Sequence, residues 1–179
     1  MNNLLPALAL IGAPFLFGFS GGAPLQKERA SPADTVRFDK GGVKLEVAYS
    51  RPYKKGRVIF GGLVPFDEVW RTGANEAATF RTNKDLTVGG KKLPAGKYTL
   101  WTIPHEKRWE VIFNKKMYPW GIGRDGKASR EAAADVVSVT VPVEVLPKEM
   151  EQFTITVQGD KVPTLVFAWD RTRVSVPLK

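Results

Sequence analysis

The sequence predicts an all-β protein, a single-domain antiparallel β-sandwich or flattened barrel with at most one or two short helices. Many short apolar runs alternate in polarity with the two-residue period of a half-buried strand, and turns rich in Gly and Pro separate them at regular spacing. No segment is long enough for the crossover helices of a parallel α/β fold. The 179 residues, 43% of them hydrophobic, are ample for a packed core.

The first predicted strands form a hairpin. Thr35–Phe38 and Val43–Tyr49 flank a turn at Gly41-Gly42, which allows the positive φ that tight hairpins need. In Lys97–Ile103 both faces are apolar, so we expect this strand to be covered on both sides. The remaining strands are expected at Ala78–Thr82, Leu86–Val88, Lys91–Leu93, Arg108–Asn114, Val136–Val143, Phe153–Gln158, Val162–Trp169 and Thr172–Val176.

Two segments between the strands have some helical character. Pro65–Trp70 could form one helical turn, and Ser129 could cap a short helix that ends at Ala134. Lys115–Lys127 contains three glycines and a proline and is predicted to be a loop.

The N-terminal part resembles an export signal. Residues 1–23 are apolar and end in small residues, which is typical of a signal peptide, although no Lys or Arg precedes the apolar run. Residues 24–33 are predicted to be a linker, and residues 34–179 the β-sandwich domain. We therefore expect a periplasmic or extracellular protein without a transmembrane segment once the leader is removed.

The composition limits the chemistry. Cysteine is absent and His105 is the single histidine, so thiol chemistry and multi-histidine zinc sites are excluded within one chain, and no metal site or cofactor is predicted. His105 is expected to be a solvent-exposed turn residue. The 27 Lys and Arg exceed the 18 Asp and Glu, giving a net charge of +9 that favours an anionic partner such as a glycan or anionic polymer, unless the cations only aid solubility. The predicted leader argues against nucleic acid, and the sequence does not indicate the oligomeric state.

The first candidate ligand-binding cluster is a run of cations. Arg51, Lys55 and Arg57 lie around Pro52 and Gly56, where the backbone is constrained. Arginine offers a bidentate fork and lysine a point charge to phosphate, sulfate or carboxylate groups. The alternative is a loop made soluble by charge.

The second candidate cluster is the segment from residue 70 to residue 76. Trp70, Arg71, Asn75 and Glu76 place an aromatic ring, a cation, an amide and a carboxylate around Gly73, as sugar-binding and anion-binding pockets do. The structural alternative is a buried ion pair between Arg71 and Glu76 that holds a crossover, with Trp70 in the core. Trp120, in a glycine-rich loop, could stack on a ligand or cover one end of a sandwich.

Several distinctive strings occur along the sequence: Tyr49-Ser50-Arg51-Pro52, Lys55-Gly56-Arg57, Ile59-Phe60-Gly61, residues 69–76 (VWRTGANE), residues 93–100 (LPAGKYTL), Ile103-Pro104, residues 109–114 (WEVIFN) and Trp120-Gly121. With these strings the chain resembles a family of secreted bacterial proteins, domain of unknown function 2911. The resemblance covers about residues 34–178 and implies a leader, an address in the envelope or outside the cell, and a β-rich fold. It implies no activity.

Three functions remain open on the sequence. The first is a non-catalytic binding module for a glycan or anionic polymer. The second is a sugar-acting hydrolase or isomerase, with Glu76 as acid or base and Arg71 as electrostatic stabiliser, which requires a raised pKa for Glu76. The third is a structural or assembly protein without a small ligand.

Overall fold

The computed structural model describes residues 29–160 and 162–179, and almost all of its regular structure is β. Seven antiparallel strands form one sheet in the order β1-β2-β3-β6-β7-β8-β9, curled into a half-barrel. A second sheet contains β4 and β5. The strands are β1 Ala33–Lys40, β2 Val43–Ser50, β3 Thr79–Thr82, β4 Leu86–Val88, β5 Lys91–Leu93, β6 Gly96–Pro104, β7 Arg108–Asn114, β8 Asp135–Gln158 and β9 Thr164–Pro177.

The predicted all-β antiparallel class is confirmed, and the differences lie at the C-terminal end. The runs expected at Val136–Val143 and Phe153–Gln158 are parts of one long strand, β8, because the ladder with β9 continues across a register shift between Val145 and Met150. The last two predicted strands likewise join as β9. Of the two residues between them, Asp170 has a φ of 52° and pairs with Met150.

Neither predicted helical segment forms an α-helix. Ala132–Ala134 is a single 3₁₀ turn, preceded by Glu131 at the cap position without a side-chain cap bond, so the expected cap at Ser129 is wrong. The segment Pro65–Trp70 contains turns instead of a helical turn, and Asp67 within it has a φ of 63°.

The main core lies on one face of the sheet and contains an aromatic cluster. Trp70 packs against Phe60, Trp109, Phe153 and Trp169, with ring centroids 5.0–6.1 Å from its own. These large rings bury much apolar surface, and their edge-to-face contacts add to the stability of the core.

A smaller second core covers the other face of β6 and β7. Trp101 and Ile112 are buried there together with Ala77, and Val69 and Ala128 pack against them from two loops. Both faces of β6 are therefore covered, as predicted. Parts of two loops, residues 61–71 and 118–128, cover this second face through Val69, Tyr118 and Ala128. Val64 and Trp70 of the first loop are buried in the main core instead.

The predicted leader, residues 1–23, and the first half of the predicted linker, residues 24–28, lie outside the described residues. Among the residues that are described, no helix is long and apolar enough to cross a membrane.

Candidate functional site

Arg51 acts as a clip between distant strands. Its Nε donates to the backbone oxygen of Phe153 at 3.2 Å, and its Nη2 donates to Oγ1 of Thr154 at 3.0 Å. Its Nη1 lies 3.3 Å from a carboxylate oxygen of Asp34. The guanidinium thus joins the end of β2 to β1 and to the second half of β8, and its donors are already engaged.

The other two cations of the run lie on the exposed loop between β2 and residue 58. Arg57 donates its Nε to the backbone oxygen of Lys54 at 2.9 Å and its Nη2 to that of Tyr53, so it stabilises its own turn. The backbone nitrogen of Lys55 donates to Glu151 at 2.8 Å. The structure therefore does not gather Arg51, Lys55 and Arg57 into one binding surface.

A wide depression of about 740 Å³ lies beside Lys55. Two of the three charged residues of its lining already have partners: Arg29 binds Glu76, and Glu151 accepts from the backbone of Lys55. The third, the side chain of Lys55, lies on the exposed loop. The lining includes Arg29, the first residue that the structure describes. We therefore place the candidate site elsewhere.

Trp70 belongs to the main core. It is 9% exposed, its ring is stacked at 18° on Trp169 with centroids 6.0 Å apart, and its Nε1 donates to the backbone oxygen of Gly73 at 3.1 Å. Its backbone pairs with Thr102 on β6, with nitrogen–oxygen distances of 2.7 and 3.0 Å. The indole ring is consequently a structural residue, and its backbone carries the next residue, Arg71, to the second face of the sheet.

The turn after Trp70 does not form the ion pair considered from the sequence. Glu76 accepts from Arg29 at 2.9 Å, and no bond joins it to Arg71. Hydrogen bonding to its own backbone amide and to Arg29 lowers the pKa of Glu76. The prediction of a raised pKa for Glu76, which the acid–base hypothesis requires, is therefore wrong. The side-chain nitrogen of Asn75 donates to the backbone oxygen of Ser31, which also ties this turn to the segment before β1.

Arg71 is the one residue of the segment that points to a ligand. Its Nε is buried, and none of its guanidinium nitrogens forms a hydrogen bond or ion pair with another described residue. Burial lowers the pKa of the Arg71 guanidinium. Arg71 as a whole is only partly buried, but the hydration that its Nε has lost is not replaced by a hydrogen bond, so an anion at the guanidinium would be favourable.

The surroundings of Arg71 form a pocket of about 620 Å³. One wall is formed by the loop of residues 61–71, and the other by the loop of residues 118–128. Val69 contributes to the first wall and Ala128 to the second, and both side chains pack on the second core. The full lining is Leu63, Val64, Pro65, Glu68, Val69, Trp70, Arg71, Gly121, Ile122, Gly126, Lys127 and Ala128.

The single histidine fixes one wall of this pocket. His105, largely buried with its side chain 16% exposed, binds the carboxylate of Asp67 through Nδ1. Its Nε2 lies 3.5 Å from Glu110, too poorly aligned for a hydrogen bond. The backbone nitrogen of Asp67 donates to Pro104 at 2.9 Å. The expected solvent-exposed turn histidine is therefore wrong: His105 ties the loop of residues 61–71 to the β6–β7 hairpin.

Trp120 lies beside the pocket and does not line it. Its side chain is 50% exposed, and the following residue, Gly121, is buried against Arg71. A side chain at position 121 would collide with the Arg71 stem, since a Cβ there would lie 2.7 Å from the Cβ of Arg71. Of the eight predicted ligand residues, only Trp70 and Arg71 line this pocket.

Sequence reasoning missed most of the pocket wall. Leu63, Ile122 and Lys127 carry no motif, and the contact between residues 71 and 121 is long-range. Gly121 offered a usable signal, because a glycine directly after an exposed tryptophan indicates close approach of another segment. Among the described residues no group of three or more His, Cys, Asp or Glu could hold a metal ion.

The curled antiparallel sheet and this pocket define an all-β protein with a candidate anion-binding site on the second face of its sheet. The chain belongs to the family described as protein of unknown function (DUF2911), whose family model matches residues 31–178. No curated protein and no solved structure matches the chain.

Proposed function

We propose that this protein is a non-catalytic binding module whose ligand carries a negative charge that is placed against Arg71. The single observation that supports the proposal is the guanidinium of Arg71, partly buried with its Nε lacking a hydrogen-bond partner, in the wall of a 620 Å³ pocket. Arginine binds carboxylate and phosphate groups through parallel hydrogen bonds. The export expected from residues 1–23 would place this binding outside the cytoplasm.

The charges near the pocket support binding over catalysis. Glu76, the acid or base of the enzymatic alternative, binds Arg29 and has a lowered pKa, so it is poorly suited to hold a proton at neutral pH. Glu68, which lines the pocket, is exposed and forms no ion pair within the described residues. An acidic sugar of a glycan and a simpler acid would both satisfy Arg71.

The test is equilibrium binding of small anions to the full chain. Phosphate, glucuronate, benzoate and octanoate are titrated by calorimetry into wild type, Arg71→Met and the control Arg81→Met. Arg81 is exposed on β3 and does not line the pocket. At least one anion should bind, more weakly at higher salt, and Arg71→Met should lose about tenfold in affinity or more. Equal binding by Arg71→Met, or binding of none of the four, would overturn the proposal.

A further inference from the structure

We infer that the ligand of the Arg71 pocket is an amphipathic acid, with one carboxylate on an aliphatic or aromatic body. This inference rests on the proposed function and narrows it. A free phosphate and an acidic sugar carry a negative charge as well. They differ from an amphipathic acid in the other side chains that the pocket must provide around the anion.

The lining lacks the neutral polar side chains that would bind the hydroxyl groups of a sugar. Among the described residues that form it there is no Ser, Thr, Asn, Gln, Tyr or His. A sugar ring presents several hydroxyl groups, and each one buried without a partner lowers affinity. Trp70 does line the pocket, but its ring is packed in the main core and cannot serve as a stacking platform. The pocket is therefore a poor site for a glycan.

The lining is instead suited to hydrocarbon. Leu63, Pro65, Val69 and Ile122 supply apolar side chains to the lining that also contains Arg71. Leu63 is 46% exposed in this structure, an apolar surface that a ligand tail would cover. The affinity of such a ligand should rise with each methylene that it buries. The pocket, at 620 Å³, falls within the range of small-molecule sites.

The charges of the pocket favour a monoanion. Arg71 and Lys127 are opposed by Glu68, so the formal charge of the lining is +1 (two cations less one anion). One carboxylate neutralises this charge, and a polyanion would bring further negative charges close to Glu68, which has the same sign. One carboxylate on Arg71 also gives the buried Nε an acceptor, and the exposed Glu68 and Lys127 can remain solvated.

The experiment compares four probes on the full chain by calorimetry. Octanoate should bind at least about tenfold more tightly than acetate, which has the same head without the tail, and than glucuronate. Octanol, which has the tail without the charge, should bind at least about tenfold more weakly than octanoate. Arg71→Met should remove the preference for octanoate over octanol.

A matched pair of variants tests the tail contact without disturbing the core. Leu63→Gln replaces a partly exposed wall residue, and Val145→Gln replaces a residue that is 78% exposed on β8 and outside the pocket. Leu63→Gln should weaken octanoate by about threefold or more and leave acetate unchanged, because only the tail reaches this wall. Val145→Gln should change neither.

The outcomes separate the two proposals. If glucuronate or phosphate binds through Arg71 and octanoate binds no more tightly than acetate, the amphipathic-acid inference is wrong and the anion-binding function stands. If octanoate and octanol bind equally and Arg71→Met has no effect, the pocket is only an apolar cavity and both proposals are wrong. Failure of every anion to bind also rejects both.

Discussion

Gly121 lies directly against the side-chain stem of Arg71. A Cβ at position 121 would lie 2.7 Å from the Cβ of Arg71 and 3.1 Å from its Cγ, closer than such atoms can pack. The Arg71 Cβ is fixed by the backbone that pairs with β6, so it cannot swing away as the end of the side chain could. The absence of a side chain at Gly121 is therefore what lets the two loops close around the guanidinium.

Gly121→Ala should lower the free energy of unfolding by about 1–3 kcal/mol, as overpacking does. Gly121 has no positive φ, so steric contact is the sole cause. Urea denaturation is the measurement, and Gly96→Ala is the control because the nearest atom to its added Cβ, Oη of Tyr98, is 3.4 Å away. The loss should be smaller in an Arg71→Ala background. A Gly121→Ala variant as stable as wild type would contradict the packing described here.

Arg51→Met and Arg71→Met should differ in their effect on the free energy of unfolding. Arg51→Met leaves the backbone oxygen of Phe153 and the hydroxyl of Thr154 without their donor, and should lower the unfolding free energy by about 1–3 kcal/mol. Arg71→Met removes a partly buried charge that has no described partner, and should leave stability unchanged or raise it by about 1 kcal/mol. Denaturation of both variants side by side tests this. An equal loss in both would assign Arg71 to the scaffold.

The fold could be predicted where local chemistry decides it. Leu86–Val88 and Lys91–Leu93 were predicted with their observed bounds because Gly89-Gly90 supplies two positive φ angles between alternating strands. The length of β8 could not be predicted. Its middle, near Pro147, breaks the alternation, and the strand continues because β9 pairs with it across the shifted register.

The candidate site could likewise be predicted only where local sequence determines it. Arg71 stood out because it combines a cation with a turn, but the partner of Glu76 was assigned by proximity in sequence. The structure supplies Arg29 from the predicted linker instead, 47 positions away along the chain. Arg29 reaches Glu76 because the segment before β1 packs beside β2. No local sequence pattern encodes that contact.

Glu76→Gln should reduce stability in a pH-dependent way. The pKa of Glu76 is lowered in the folded protein by its own backbone amide and by Arg29, so its contribution is present above the ordinary carboxyl value near 4.5 and is lost as the pH falls through the folded value. The side chain is 43% exposed, so the difference at pH 7 should be only about 0.5 kcal/mol.

Urea denaturation of wild type and Glu76→Gln at pH 7, 5 and 3 checks this, and the difference in stability should narrow as the pH falls below the ordinary carboxyl value. Arg29→Gln should show a similar but smaller trend, since it removes only one of the two causes. A gap that widens on acidification would mean that the pKa of Glu76 is raised, and would reopen the acid–base hypothesis.

His105→Ala should loosen one wall of the Arg71 pocket. The substitution removes the bond to Asp67, whose backbone nitrogen donates to Pro104, so hydrogen exchange at the Asp67 amide should accelerate. Mass spectrometry of the deuterated loop peptide measures it. Glu110→Gln is the matched control, because Glu110 makes no aligned hydrogen bond to His105, and it should leave that exchange rate within about twofold. Equal acceleration of hydrogen exchange in both variants would show that the bond between His105 and Asp67 is not what holds the loop of residues 61–71 to the β6–β7 hairpin.

The two predicted binding tryptophans should separate in a stability measurement. Trp70→Phe loses the bond to Gly73 and part of the stack on Trp169, and should lower the unfolding free energy by about 1–3 kcal/mol. Trp120→Phe, at a residue 50% exposed, should stay within about 0.5 kcal/mol of wild type. Phenylalanine at both positions keeps an aromatic ring, so the comparison isolates burial and the indole bond. If Trp120→Phe proved the more damaging change, Trp120 would be the structural residue, and Trp70 would have to be reconsidered as a surface for ligands.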